Sequence, residues 1–304
     1  MKILILTCST GEGHNSTAAA LREELLRRGD SCETADALSF LSPRFSRLLC
    51  GAHTLVYRKA PGAFSAGYRL EEKHTSRRLF ERLFHETDSL RAFLRRGGYD
   101  AVISVHVFAA TMMTQLRRSG EKTALFFVAT DYTCSPGVGS LAMDRWLIPH
   151  EALRREFAVC GVPERAMIPA GIPVQRCFYE KVSRNEARRA LRLPEVGRMV
   201  LLCCGSMGCG PMEELTEELS GRLPEGAFLV VICGTNTVLR EKLAARGLKR
   251  TRVVGFTEKM SLYMDAADLY LTKAGGLSTT EALVKRLSPF TVMAAVSSAV
   301  PSLP

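Results

Sequence analysis

MKILILTCSTGEGHNSTAAALREELLRRG, residues 1–29, holds the pattern that decides the fold. An apolar run, Ile3 to Leu6, is followed by a polar glycine-rich loop and then by an amphipathic segment that stops at Gly29. That order reads strand, loop, helix. The apolar run is too short for the hydrophobic part of a secretion signal, and it ends in the polar STGEGHNS, so a leader peptide is not expected. Working outward, the rhythm repeats. CETADAL is a second strand, and a long Arg-rich helical region runs from about Ser42 to Arg96. YDAVISVH, TALFFVATD and RWLIPH are further strands, with the helix FAATMMTQLRRSG after the first of them. Short β-branched strands separated by helices are the pattern of a parallel α/β sheet.

The segment Ala170 to Asn185 has no clear period and reads as a linker. After it, EARRALRL leads to Pro194, and a second α/β series begins: RMVLLCCGS, LVVICG, TRVVGF and DLYLTK, with helices between. At 304 residues two domains are expected, one over 1–175 and one over 185–304. The end, SPFTVMAAVSSAVPSLP from Ser288 to Pro304, has no charged residue, no turn glycine and no polar helix face. A complete α/β domain starting near residue 185 would want roughly 150 residues. The second domain therefore reads as incomplete at its C-terminus, truncated or frame-shifted after about Leu287.

Apolar residues at 46% and charged residues at 24% exclude wholesale disorder. Ten scattered cysteines, several inside apolar runs, show no metal-ligand spacing and read as small buried hydrophobes in a reducing compartment. No window approaches the roughly 18 apolar residues of a membrane span, so a cytoplasmic protein is expected. The net charge of +10 favours anionic partners. Between Ser42 and Leu70, Arg44, Arg47, Arg58, Lys59 and Arg69 occur without any acidic residue, among Phe45, Leu48, Leu55, Tyr57, Phe64 and Tyr68. Such a mixture suits a segment lying on anionic lipid, and equally a solvated helix face with core residues opposite. No nucleic-acid motif accompanies the charge, so a nucleic-acid partner is not expected.

Three loops have the residues for ligand chemistry. The first, Ser9 to Thr17, brings Gly11 and Gly13 to the start of a helix, where backbone N–H groups and the helix end favour negative charge. It approximates a dinucleotide loop with Ser16 where the third glycine belongs and Asp36 as the ribose acid, which makes a dehydrogenase a rival reading. His14 on this loop, at the carboxyl end of a parallel strand, is a candidate general base; otherwise it hydrogen-bonds the loop. The second loop, Cys204 to Gly210, includes Gly205, Ser206 and Gly208 and precedes a helix with Pro211 in its first turn. The third, Thr272 to Glu281, places Gly275 and Gly276 before Ser278 and Thr279. It is a diphosphate cradle in which either hydroxyl residue can instead be the N-cap. Glu281 falls one turn into that helix, to cap it or to reach a ribose. Gly255 and Phe256 end a strand between these two loops.

The order GEGH, ATDYTCSP, CGTN, VVGFTEKMSLYM, LTKAGGLSTTEAL resembles the family of monogalactosyldiacylglycerol synthases and processive diacylglycerol glucosyltransferases, itself similar to the enzyme that adds N-acetylglucosamine to the lipid-linked peptidoglycan precursor. The resemblance runs from Met1 to about Leu287. It implies the GT-B fold, two doubly wound Rossmann-like domains facing each other across a cleft. It also implies an inverting transfer of a hexose from a UDP-sugar to a membrane lipid acceptor, diacylglycerol in the family. No cofactor and no tightly bound metal is implied, the UDP-sugar being a co-substrate. Gly11, Gly13 and His14 would line the reaction centre, with His14 as base and Asp131 as the second candidate or as the group that orients the acceptor. Gly255 and Phe256 would meet the uracil, Gly275, Gly276 and Ser278 the diphosphate, and Glu281 the ribose, with Gly205, Ser206 and Gly208 on the donor side. Arg44, Arg47, Arg58 and Lys59 would dock on the inner face of the cell membrane, making the protein peripheral. The family's Gln-Glu loop, which holds the donor sugar's hydroxyls, does not follow Leu287, and weak donor binding and turnover are expected from that departure. An epimerase-like sugar-nucleotide enzyme of the same fold and a non-catalytic fragment with residual nucleotide binding are the alternatives.

Overall fold

The structure, a computed structural model, describes residues 1–8, 12–41 and 87–292. The chain divides into two units, Met1–Gln175 and Arg176–Pro304. In the first, β1 (Lys2–Thr7), β2 (Ser31–Asp36), β3 (Ala101–Ser104), β4 (Ala124–Val128), β5 (Arg145–Ile148) and β6 (Met167–Pro169) form one parallel sheet in the order β2-β1-β3-β4-β5-β6. Ile3 to Leu6 are all buried, as expected where helices cover both faces of a parallel sheet. On one face α1 (Glu12–Arg27) packs Ala18 against Ile5, Val105 and Val128. On the other, α2 (Asp88–Gly97) and α3 (Val107–Arg118) bury Leu90, Leu94, Met112, Met113 and Leu116 against Leu4 and Leu6. The short β6 and the six-residue α4 (Arg154–Val159) are absent from the sequence reading, because three- and six-residue elements carry no measurable period.

The second unit begins with a segment the sequence marks as a linker. From Arg176 it is packed into this unit: Phe178 is buried, and the Ser261 hydroxyl donates to the Cys177 carbonyl at 2.7 Å. Next comes α5 (Arg184–Ala190), whose Ser183 and Glu186 cap each other's backbone in a capping box. Then β7 (Met199–Cys203), α6 (Met212–Arg222), β8 (Phe228–Ile232), α7 (Thr237–Ala245), β9 (Thr251–Val254), α8 (Met260–Ala266), β10 (Leu269–Lys273), α9 (Gly276–Val284) and β11 (Pro289–Val292) follow. The parallel sheet runs β11-β10-β7-β8-β9. The strand β11 corrects the sequence reading, in which nothing after Ser288 fits the α/β rhythm. Tyr270 to Lys273 of β10 pair in parallel with Pro289 to Val292. Backbone pairing to a sheet edge needs no charge pattern, so an uncharged segment can form it.

Two cationic side chains are buried here, and both are paired, as burial of charge requires. Arg188, 1% exposed, donates to the carbonyls of Ala266, Glu195 and Gly197 and to Asp268, which also accepts from the Met199 N–H. Lys285 reaches Asp265 at 2.6 Å and the Glu180 carbonyl at 2.5 Å. Among the described residues no helix is long and apolar enough to cross a membrane.

Candidate functional site

In a doubly wound sheet ligands collect outside the carboxyl ends of the strands, where the winding direction reverses. In the first unit that point lies between β1 and β3, since the chain leaves β1 for β2 on one side and returns to β3 on the other. Two histidines meet there. His14 is not on the loop, as the sequence suggests, but in the first turn of α1, which begins at Glu12. His106 follows β3 and is the N-cap of α3. Their rings lie 4.5 Å apart between centroids and 77° apart in plane, an edge-to-face pair.

The hydrogen bonds assign both tautomers. The Val105 carbonyl, 2.8 Å from His14 Nδ1, can only accept, so His14 carries a proton on Nδ1, which in the neutral ring leaves the lone pair on Nε2. The Thr130 hydroxyl is 3.2 Å from the same nitrogen. His106 is the opposite case. Its Nδ1 accepts the Phe108 N–H at 3.1 Å, so the proton is on Nε2.

Asp131, half-buried, follows Thr130 and is thereby brought to the His14 end of the sheet. Its loop is pinned two residues on, where Glu156 accepts from the Thr133 hydroxyl at 2.5 Å and from the Cys134 N–H at 2.7 Å. Gly13 is exposed, with open space where a side chain would project. Asn15 accepts a hydrogen bond from the buried Thr7 hydroxyl at 2.8 Å. The Asp36 carboxylate accepts the Leu38 N–H at 2.9 Å and caps a short 3₁₀ turn. Gly11 and the membrane-docking candidates Arg44, Arg47, Arg58 and Lys59 lie outside the described residues.

In the second unit the winding reverses between β7 and β10. The loops after these strands are the glycine loops of the sequence, and Lys273 joins them. Built on Gly205, a Cβ would lie 3.0 Å from Lys273 Cε and 3.5 Å from its Nζ; on Gly275 it would lie 3.9 Å from the same Cε. In sequence Lys273 reads only as a strand-ending residue, since nothing in its spacing ties it to residue 205. A further lock was equally invisible. The Thr235 N–H donates to the Ser206 carbonyl at 2.7 Å, and Asn236 Nδ2 donates to the Gly208 carbonyl at 3.1 Å. Gly208 and Gly234 have left-handed backbone there. A Cβ on Gly208 would stand 2.1 Å from the Cys233 carbonyl, and one on Gly234 1.9 Å from the Ser206 carbonyl.

Gly275 is the N-cap of α9 and Gly276 its buried first residue, so neither Ser278 nor Thr279 is the cap, and Glu281 falls in the second turn. Ser278 is half-buried. Glu281 is 9% exposed, and burial pushes its carboxyl up to about 8. Gly255 and Phe256 follow β9, three strands from β10 at the same carboxyl edge. At about 4.8 Å per strand that separation is about 14 Å. Phe256 is 56% exposed, and Arg240 packs over Gly255, whose Cβ position is 3.3 Å from Arg240 Cδ. A glycine cradle with a cation at one end, an exposed aromatic ring at the other and a buried carboxyl near the cradle suits a nucleoside diphosphate.

Two family profiles match the chain: "Monogalactosyldiacylglycerol (MGDG) synthase" over residues 14–174 and "Glycosyltransferase family 28 C-terminal domain" over residues 199–292. The chloroplastic monogalactosyldiacylglycerol synthase of Spinacia oleracea is 28% identical, with 94% of this chain and 58% of that protein covered. The chain thus spans less than two thirds of that relative's length. The processive diacylglycerol beta-glucosyltransferase of Bacillus licheniformis is 26% identical, with 92% of this chain and 74% of that protein covered. Among solved structures, the UDP-GlcNAc 2-epimerase of Neisseria meningitidis bound to UDP-GlcNAc matches with a TM-score of 0.61 at 12% identity, over 96% of this chain and 82% of that one. MurG of Acinetobacter baumannii matches with 0.54 at 16%, over 98% and 80%. Identities this low establish shared fold alone, that of GT-B glycosyltransferases and the related epimerases. Matched by its profile over residues 14–174 of 304, the chain belongs to the monogalactosyldiacylglycerol synthase family.

Proposed function

We propose that this chain is an inverting glycosyltransferase that moves a hexose from a UDP-sugar to the hydroxyl of a membrane lipid, diacylglycerol. The observation that carries the reading is the tautomer of His14. With Nδ1–H given to the Val105 carbonyl, the ring offers a lone pair at Nε2, at the winding reversal of the first sheet. In this reading Nε2 takes the proton of the acceptor hydroxyl as the acceptor oxygen bonds to the anomeric carbon. The bond from that carbon to the diphosphate breaks, its electron pair leaves with UDP, and attack from the opposite face inverts the centre. Asp131, on a pinned loop, orients the acceptor.

On the donor side, Lys273 and the N-terminus of α9 stabilise the charge that develops on the leaving diphosphate. Gly205, Ser206, Gly208, Gly275, Gly276 and Ser278 form its cradle. Gly255 and Phe256 receive the uracil, and Glu281 the ribose hydroxyls. The names of the relatives support both substrates: diacylglycerol stands in the Bacillus enzyme's, and a UDP-sugar is bound in the Neisseria structure. Arg44, Arg47, Arg58 and Lys59 hold the protein to an anionic membrane surface.

The test is incubation with labelled UDP-glucose or UDP-galactose and diacylglycerol in anionic vesicles. Labelled glycolipid is expected, and His14→Ala should slow its formation by about 10²- to 10⁴-fold, the usual worth of a general base, with donor affinity little changed. An isomerised donor, or a His14→Ala protein as fast as the parent, overturns the reading.

A further inference from the structure

We propose that His106 is a positioning residue for this reaction: a neutral aromatic wall that holds the His14 imidazole in the orientation and tautomer a base requires. This rests on the reading of His14 as the base, but on a residue that reading does not use.

His106 is buried, 9% exposed, in the turn between β3 and α3. Its ring is fixed on three sides. Nδ1 accepts the Phe108 N–H at 3.1 Å, the Phe108 ring lies 4.7 Å from it, and His14 lies edge-to-face at 4.5 Å. The adjacent residue, Val105, provides the carbonyl that holds His14 Nδ1–H. One turn of backbone, 105–106, therefore grips His14 by both a hydrogen bond and an edge-to-face ring contact.

The same geometry disfavours a proton on Nδ1 of His106. A proton on Nδ1 would break the cap on the Phe108 N–H and put positive charge at the N-terminus of the twelve-residue α3, where the helix dipole opposes it. A cationic neighbour at this distance would disfavour the imidazolium that His14 becomes on accepting a proton. A neutral ring imposes no such repulsion. The two imidazoles are thus in complementary states: His14 presents a lone pair, and His106 cannot compete for the proton.

A cap alone would explain His106 without any role in chemistry, and two substitutions separate the possibilities. His106→Asn keeps a good N-cap and removes the ring. His106→Phe keeps a ring and removes the cap. A positioning role predicts that His106→Asn lowers kcat at least tenfold with KM for the UDP-sugar within twofold, and that His106→Phe restores kcat to within about threefold of the parent despite a lower melting temperature. In the ¹⁵N spectrum of the imidazoles, His14 should show the Nδ1–H tautomer in the parent and in His106→Phe, and a mixture in His106→Asn.

Three outcomes overturn the proposal. They are normal kcat in His106→Asn, equal loss in both variants (which would give Nε2–H of His106 a direct role), or one unchanged His14 tautomer pattern in all three proteins. If His14→Ala proves fully active, the base reading falls, and the tautomer spectra still decide whether His106 holds the ring.

Discussion

His14 in the first unit and Glu281 in the second are candidate site residues, each legible in sequence for a partial reason. His14 stood out as a histidine after a strand and beside glycines. What gives it a defined lone pair is the Val105 carbonyl, ninety-one residues away, which no local pattern can show. Glu281 was legible as a carboxylate near a phosphate-type loop, but its burial was not. Its carboxyl is pushed up to about 8 by burial, against an unfolded value near 4.3, so between those values the folded chain holds a proton that the unfolded chain lacks. Stability is then fully retained below about pH 4 and falls as pH rises towards 8, by at most about 1.4 kcal/mol per pH unit. Urea midpoints measured across that window should fall with pH in the parent and fall less in Glu281→Gln. Equal slopes would mean that the carboxyl titrates normally in the folded chain.

At the scale of elements, the donor-side loops are held by contacts between turns. The loop after β7 and the turn after β8 interlock through Ser206, Gly208, Gly234 and Asn236, and Gly234 leaves no room for a Cβ. Gly247 offers a control, with similar left-handed backbone but open space around it. Gly247→Ala should cost only the left-handed penalty, about 1–2 kcal/mol. Gly234→Ala should cost more than that and weaken UDP binding at least tenfold, because Ser206 must move. Calorimetric titration with UDP checks this, and equal affinities in the two variants would show the interlock to be irrelevant to the cradle. In sequence Gly205 and Gly208 read as loop glycines before a helix, and Gly275 and Gly276 as part of a diphosphate cradle. For Gly208 the reason is sharper, since its conformation and its neighbour's carbonyl both exclude a side chain.

For the whole molecule, each unit has its own sheet and core, and the charged anchor Arg188 belongs to the second. Removing one partner of a buried ion pair typically costs about 3–5 kcal/mol, because the other is left uncompensated. Arg188→Leu should therefore lower the melting transition of the second unit by roughly ten degrees or more. The chain's one tryptophan, Trp146, is buried in β5 of the first unit and reports on that unit alone. Its fluorescence transition should stay in place while the far-ultraviolet dichroism loses amplitude earlier. A tryptophan transition that moves equally would show that the two units unfold together.

The sequence by itself determined the two parallel α/β series, the glycine loops at the strand ends and His14, because strand burial, helix periodicity and turn glycines are local and repeat. It also carried the order of motifs that marks the family. Only the tertiary structure decided that Pro289 to Val292 form an edge strand, that Lys273 bridges two glycine loops and that His106 lies against His14. These depend on strand order, and strand order follows from which hydrophobic faces pack together over long separations, a choice that a parallel sheet buried on both faces leaves open in the linear pattern.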